Sequence, residues 1–127
     1  MRIAGRQVEL ETERLALCRP RLGDAAELFG FLGDPQAMRF TQPRTSLRDC
    51  RRYLAVHERR RRAVGCAPWV VLNKGRSAIV GYGGLYEDPF DPCWGVEVGY
   101  FFAPGAWGKG FASELTRGEP IVCGASE

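Results

Sequence analysis

Three groups of residues in this sequence have types and spacing that chemistry can use. The first is Ala103-Pro104-Gly105-Ala106-Trp107-Gly108-Lys109-Gly110, running into Phe111-Ala112-Ser113-Glu114-Leu115-Thr116. Glycines let backbone approach a phosphate closely, and the first N–H groups of a following helix lack intrahelical partners, so the junction suits an anion. The second is Glu97. Period two along Val96 to Phe102 puts Gly95, Glu97, Gly99 and Phe101 on one face, thinned by glycines so that a ligand or another backbone can come close. The third is Arg59-Arg60-Arg61-Arg62. Residues 39–62 hold nine arginines against two acids, while the rest of the chain holds nine basic residues against thirteen acids. Four consecutive arginines sweep more than a turn and form no narrow stripe. They read either as a solvated helix end whose charge complements the helix dipole, or as a patch for nucleic acid or an acidic partner. No motif with interleaved aromatics accompanies them.

Other chemistry finds little support. The five cysteines, Cys18, Cys50, Cys66, Cys93 and Cys123, are widely spaced without a Cys-x-x-Cys pair, so no metal site or disulfide framework is expected. They read mainly as small apolar residues. His57 is the only histidine, and a Cys/His/Asp hydrolase has no positive evidence.

The elements that must position these groups can be read in order. At 127 residues and 45% apolar content the chain makes one domain, 1–127, with a real core. No apolar run reaches membrane-spanning length, and Arg2, Arg6 and Glu9 break the start, so no signal peptide or membrane partner is expected and the location expected is cytoplasmic. Arg14 to Arg19 alternates as a first strand. Asp24 is placed to cap a helix, with Glu27 as its capping-box partner and Gly33 as its end. A loop from Asp34 to Arg44 carries Met38 and Phe40 and either lines a pocket or covers the core. A second helix starts at Ser46, with Asp49 in the reciprocal position, and stops at Gly65. Pro68 to Asn73 and Ser77 to Tyr86 form an antiparallel hairpin, and Cys93 to Phe102 a third strand. On that strand Trp94, Val96, Val98, Tyr100 and Phe102 share a face that reads as core.

This order resembles the acetyl-CoA-dependent N-acetyltransferases of the GNAT superfamily, nearest to the branch that acetylates ribosomal-protein N-termini. The residues that carry it are Glu11-Thr12-Glu13-Arg14-Leu15, Gly23-Asp24-Ala25, Asp34-Pro35, Ile79-Val80-Gly81 with Gly83-Gly84-Leu85, Glu97-Val98-Gly99-Tyr100, and Trp107-Gly108-Lys109-Gly110-Phe111-Ala112-Ser113-Glu114. The resemblance spans about Glu11 to Arg117. It implies an α+β fold, a mostly antiparallel central sheet flanked by helices.

It also implies a site. Backbone N–H groups from Trp107 through Gly108, Lys109, Gly110, Phe111 and Ala112 hold the pyrophosphate of acetyl-CoA. The strand edge at Tyr100, Phe101 and Phe102 pairs with the pantetheine arm. Glu97 acts as the base that takes a proton from an attacking primary amine, of a protein N-terminus or a small molecule, or else pairs with an arginine and shapes the site. Phe40, Trp69 and Tyr82 frame the substrate pocket or belong to the core. No metal is called for.

The departure from the family pattern is at the end. Gly118, Glu119 and Pro120 interrupt the last helix, and residues 118–127 do not follow the pattern, so the sequence reads as a C-terminally truncated member. A helix of about two turns is marginal alone. The expectation is an unanchored helix and an open strand edge that a second copy or a partner chain covers. The alternative function is then an inactive fragment that binds CoA or another protein.

Overall fold

In the computed structural model, residues 2–39, 41–90 and 95–118 are described. Over them the chain runs as strands β1 (Arg2–Ile3), β2 (Arg6–Gln7), β3 (Leu10–Glu11) and β4 (Leu15–Cys18), helices α1 (Ala25–Leu32) and α2 (Leu47–Val64), strands β5 (Trp69–Asn73), β6 (Ala78–Glu87) and β7 (Val96–Phe102), and helix α3 (Phe111–Gly118). No helix among the described residues is long and apolar enough to cross a membrane. Strands β3 to β7 form a five-stranded sheet in chain order, every pairing antiparallel. The α+β expectation is met, and β7 sits at an edge.

Apolar alternation sends side chains to both faces. Ala16, Cys18, Val70, Leu72 and Tyr82 pack with Ala25, Leu28, Leu32, Cys50 and Leu54, so α1 and α2 cover one face. Leu15, Leu17 and Val71 pack with Ala106, Phe111 and Leu115, which puts α3 on the other. Burial of this apolar surface is the main favourable term in holding the layers together. At Gly83 the two longest strands come close: a Cβ there would lie 2.2 Å from Gly99 O and 2.6 Å from Tyr100 Cα, so only glycine permits this approach.

The second helix follows its local signals. Ser46 Oγ accepts from the Asp49 N–H at 3.0 Å, the Asp49 carboxylate accepts from the Thr45 N–H at 2.9 Å, and the Gly65 N–H closes the helix on Arg61 O at 2.8 Å. The first helix departs from them. Asp24 precedes α1 but makes no side-chain cap to it. Its carboxylate instead takes both guanidinium nitrogens of Arg6, each at 2.7 Å, and the Arg21 N–H at 2.7 Å. A full positive charge outcompetes a helix amide for a buried carboxylate. The pair ties β2 to the start of α1.

A second correction concerns β7. Val96 is 53% and Val98 63% exposed, so the face expected to be core is open over the first half of the strand. Among the described residues of β7, Tyr100 and Phe102 pack against the α3-side cluster. Trp94 lies outside the described residues, as do Cys93 and Cys123. Cys18 and Cys50 are buried free thiols, as small apolar residues should be. Cys66 is disulfide-bonded, which the spacing did not announce.

Candidate active site

Beyond β7 the chain tightens into a 3₁₀ turn, Pro104–Ala106, in which proline occupies a first helical position where no N–H is needed. The Trp107 N–H donates to Pro104 O at 3.1 Å, and its indole Nε1 to Phe102 O at 3.0 Å. In this structure the Trp107 N–H is thus directed back into the turn. From Gly108 to Ser113 the N–H groups find no backbone partner among the described residues. Gly108 and Gly110 hold φ of 77° and 76°, and at Gly108 an added Cβ would meet nothing within 4 Å. The left-handed backbone, not crowding, requires glycine there. These two glycines aim successive amides outward before α3 begins.

Helix α3 is anchored, contrary to expectation. Phe111 and Leu115 are 4% and 0% exposed. Glu114 accepts hydrogen bonds from Thr12 Oγ1, from the Arg14 N–H at 2.9 Å and from Arg14 Nε at 2.7 Å, and the Arg14 guanidinium lies 4.6 Å from the centre of the Phe111 ring. The β3–β4 turn thus clasps the helix at a sequence separation of 102 residues. Burial works to raise the Glu114 pKa, but the bonds from Thr12 and Arg14 outweigh it and hold it below the usual 4.5. A depressed carboxylate contributes stability above its unfolded pKa that is lost as pH falls through the folded one. Glu114→Ala is therefore expected to lower unfolding free energy by about 1.5–3 kcal/mol at neutral pH, measured by urea denaturation, with the gap to the parent closing below pH 4.5. Thr12 and Arg14 fall in one motif of the sequence and Glu114 in another, and the complementary Arg and Glu are the signal there for this contact.

The β7 edge, which pairs with no further strand among the described residues, opens on a cleft of about 480 Å³ lined by Tyr100, Phe101, Phe102 and Trp107 with Ala37, Arg39 and Thr41 from the loop after α1. Arg39 reaches over the Trp107 ring at 5.5 Å and brings positive charge to its mouth. A second cavity of about 260 Å³ beside the turn presents Arg76 and Lys109. Cations thus flank the glycine turn on both sides.

Glu97 is half-buried on the α1/α2 side of β7, opposite Tyr86 on β6. Tyr86 leads into a cluster in which His57, 1% exposed, is surrounded by the rings of Tyr53 at 4.7 Å, Tyr86 at 5.6 Å, Tyr82 at 6.3 Å and Phe90 at 6.3 Å. Burial raises the Tyr86 hydroxyl pKa and the Glu97 charge adds to it. His57 Nδ1 and the Tyr82 hydroxyl are buried there without a hydrogen-bond partner among the described residues. Burial lowers the His57 pKa from 6.5 to about 4, with Asp88 opposing and Arg61 and Arg44 assisting. A depressed histidine makes the unfolded chain the better proton acceptor, so stability is fully present above pH 6.5 and lost as pH falls toward 4. The loss expected is about 3 kcal/mol. His57→Gln should flatten that part of a stability-versus-pH curve followed by chemical denaturation.

The structure brings Tyr82 to this cluster and leaves Trp69 out of it. Trp69 packs on the α3-side cluster and under the Arg61 guanidinium, 4.1 Å away. Paired strands explain the split: Val70, not Trp69, lies opposite Tyr82. Phe40 lies outside the described residues.

Comparison with known proteins places this geometry. The family described as acetyltransferase (GNAT) domain matches residues 14–119. A Bacillus subtilis (strain 168) relative, uncharacterized protein YkkB, is 29% identical over 112 residues, 87% of this chain and 65% of its own length. The acetyltransferase from Agrobacterium tumefaciens str. C58 has a TM-score of 0.70 at 22% identity, covering 84% of this chain and 60% of that one. Microcin C7 self immunity acetyltransferase MccE, solved with acetyl-CoA and AMP, gives 0.62 at 16% identity over 84% of this chain and 60% of that one. This chain thus spans less than two thirds of the length of these proteins. With the family pattern running from the clasp at Arg14 through the glycine turn and across α3, the chain belongs to the acetyltransferase (GNAT) family.

Proposed function

We propose that this chain transfers an acetyl group from acetyl-CoA to a primary amine, on a protein N-terminus or a small molecule. The observation that carries it is the meeting, at one cleft, of a strand edge and a turn of amides that have no backbone partner among the described residues. The residues fit the group: left-handed Gly108 and Gly110 leave room where a Cβ would be strained, Arg39, Arg76 and Lys109 supply cations, and the β7 edge at Tyr100 to Phe102 offers strand-like hydrogen bonds to an extended amide-bearing arm. Bound there, acetyl-CoA supplies an activated thioester carbonyl.

The chain's own residues do the rest. Amides from Gly108 to Ala112 hold the diphosphate charge, and α3, fixed by Glu114, keeps them in place. Glu97 takes the proton of the incoming amine, directly or through water. The acceptor approaches from the α2 side, where Glu97 lies beside the half-buried Tyr86 at the border of the aromatic cluster around the buried His57. Trp69 then shapes the fold rather than the pocket. Incubation with acetyl-CoA and a panel of amines and peptides should release free thiol, followed with a thiol-reactive dye; no release with any amine would overturn the proposal.

A second reading has its own observation. Exposed Val96 and Val98 lie on a strand that is at the sheet edge among the described residues, the kind of surface a second copy or partner strand covers. On that reading the chain binds CoA or another protein without turnover. Sedimentation showing self-association with no thiol release supports it; an active monodisperse monomer rules it out.

A further inference from the structure

The arginine run does not act as one unit. Arg61 is 9% exposed, donates to Glu58 and to Pro68 O at 2.6 Å, and stacks on Trp69. Arg60 pairs with Glu87 on β6. Arg44 faces Asp49, and Arg6, Arg14 and Arg19 each have an acid as well. Arg59 and Arg62 point outward, exposed, with no ion pair among the described residues, and the same holds for Arg48, Arg51 and Arg52. At 100° per residue these five lie within an arc of about 100°, opposite the buried Cys50, Leu54 and His57. Arg48 to Arg62 spans about 21 Å along the helix. Along α2 the fold therefore pairs the arginines it buries or half-buries and leaves the exposed ones in one stripe.

At its C-terminal end the stripe borders a cavity of about 250 Å³ between α2 and the segment before α1. Its floor is Leu22, Leu54 and Ala55, and its rim carries Arg21, Arg59 and Arg62. Leu22 is 59% exposed. Glu58 also borders it, with its charge taken up by Arg61 and Arg19. This face lies across the sheet from α3 and the glycine turn, so a cofactor held there does not reach it.

We propose that the outer face of α2 docks an acidic protein segment that lays one apolar side chain against Leu22 and Ala55, over the buried Leu54, while its carboxylates lie along Arg48, Arg51, Arg59 and Arg62. Charge complementarity sets the occupant's sign. The exposed leucine and apolar floor set its anchor, since a buried apolar contact ringed by arginines is how protein interfaces concentrate affinity. Nucleic acid fits less well because the stripe carries no aromatic ring on which a base can stack.

The test uses the full chain and a fluorescein-labelled peptide of aspartates and glutamates around a single leucine, read by fluorescence anisotropy. Binding should weaken steeply with added salt. It should fall about tenfold or more when the peptide's leucine becomes serine. The double variant Arg59→Glu with Arg62→Glu, and separately Leu22→Ser, should each lose binding by a similar factor, while Arg76→Glu on the opposite side leaves it unchanged. The proposal is overturned if the peptide does not bind at low salt, if the arginine and leucine variants bind as the parent does, or if oligouridylate binds more tightly than the peptide and displaces it.

Discussion

Asp24→Ala is expected to lower the unfolding free energy by about 3–5 kcal/mol. Both side chains of the Arg6–Asp24 pair are nearly enclosed, at 6% and 7% exposure. Removing the carboxylate leaves the guanidinium buried with only Arg19 O, at 2.8 Å, for company, and strips the Arg21 N–H of its acceptor. An unpaired buried charge costs more than the pair itself contributes, so truncating one partner reads out mostly that penalty. A domain of this size is stable by about 5–15 kcal/mol, so the variant should melt roughly 10–20 °C lower. Calorimetry decides it. Replacing both partners together, Arg6→Met with Asp24→Leu, should recover most of the loss, because the desolvation cost vanishes with the charges. A loss within about 1 kcal/mol for Asp24→Ala would make the pair no stronger than an exposed one and refute the argument.

Glu97→Gln is expected to reduce kcat by about a hundred- to ten-thousandfold, the range for removing a positioned general base. The change is isosteric and sits away from the glycine turn, so the KM for acetyl-CoA should hold. The residual rate should climb with pH as more of the amine substrate arrives already deprotonated. A Gln variant that keeps the parent kcat assigns Glu97 to shaping the site beside Tyr86. The chain should be assayed together with Glu114→Ala, whose expected signature is the reverse: weaker acetyl-CoA binding through a loosened α3, with the proton-transfer step intact.

Elements with local causes were legible in the sequence. Ser46 and Gly65 bound α2 because a cap and a stop act within a few residues of themselves. The antiparallel order from β5 to β7 followed from short connections. The glycine turn stood out because positive φ is a demand on single residues. What depended on a distant partner was not legible. Asp24 carries the signature of a helix cap, yet Arg6 takes it, since competition between an amide and a guanidinium is settled only when the chain brings both to one carboxylate. Alternation showed which residues of β7 share a face but could not say whether anything covers that face, and Val96 and Val98 are open.

By itself, then, the sequence determined the family pattern, the elements from β4 to α3, and the position of Glu97 and the glycine turn within them. Tertiary structure decided which charges are spent on the fold and which are left for partners. It set Glu114 against Thr12 and Arg14 to hold a helix too short to stand alone, and buried Arg61 while leaving Arg59 and Arg62 outside. The reason is that hydrogen bonds and ion pairs are decided by distance in space, which a linear pattern does not contain.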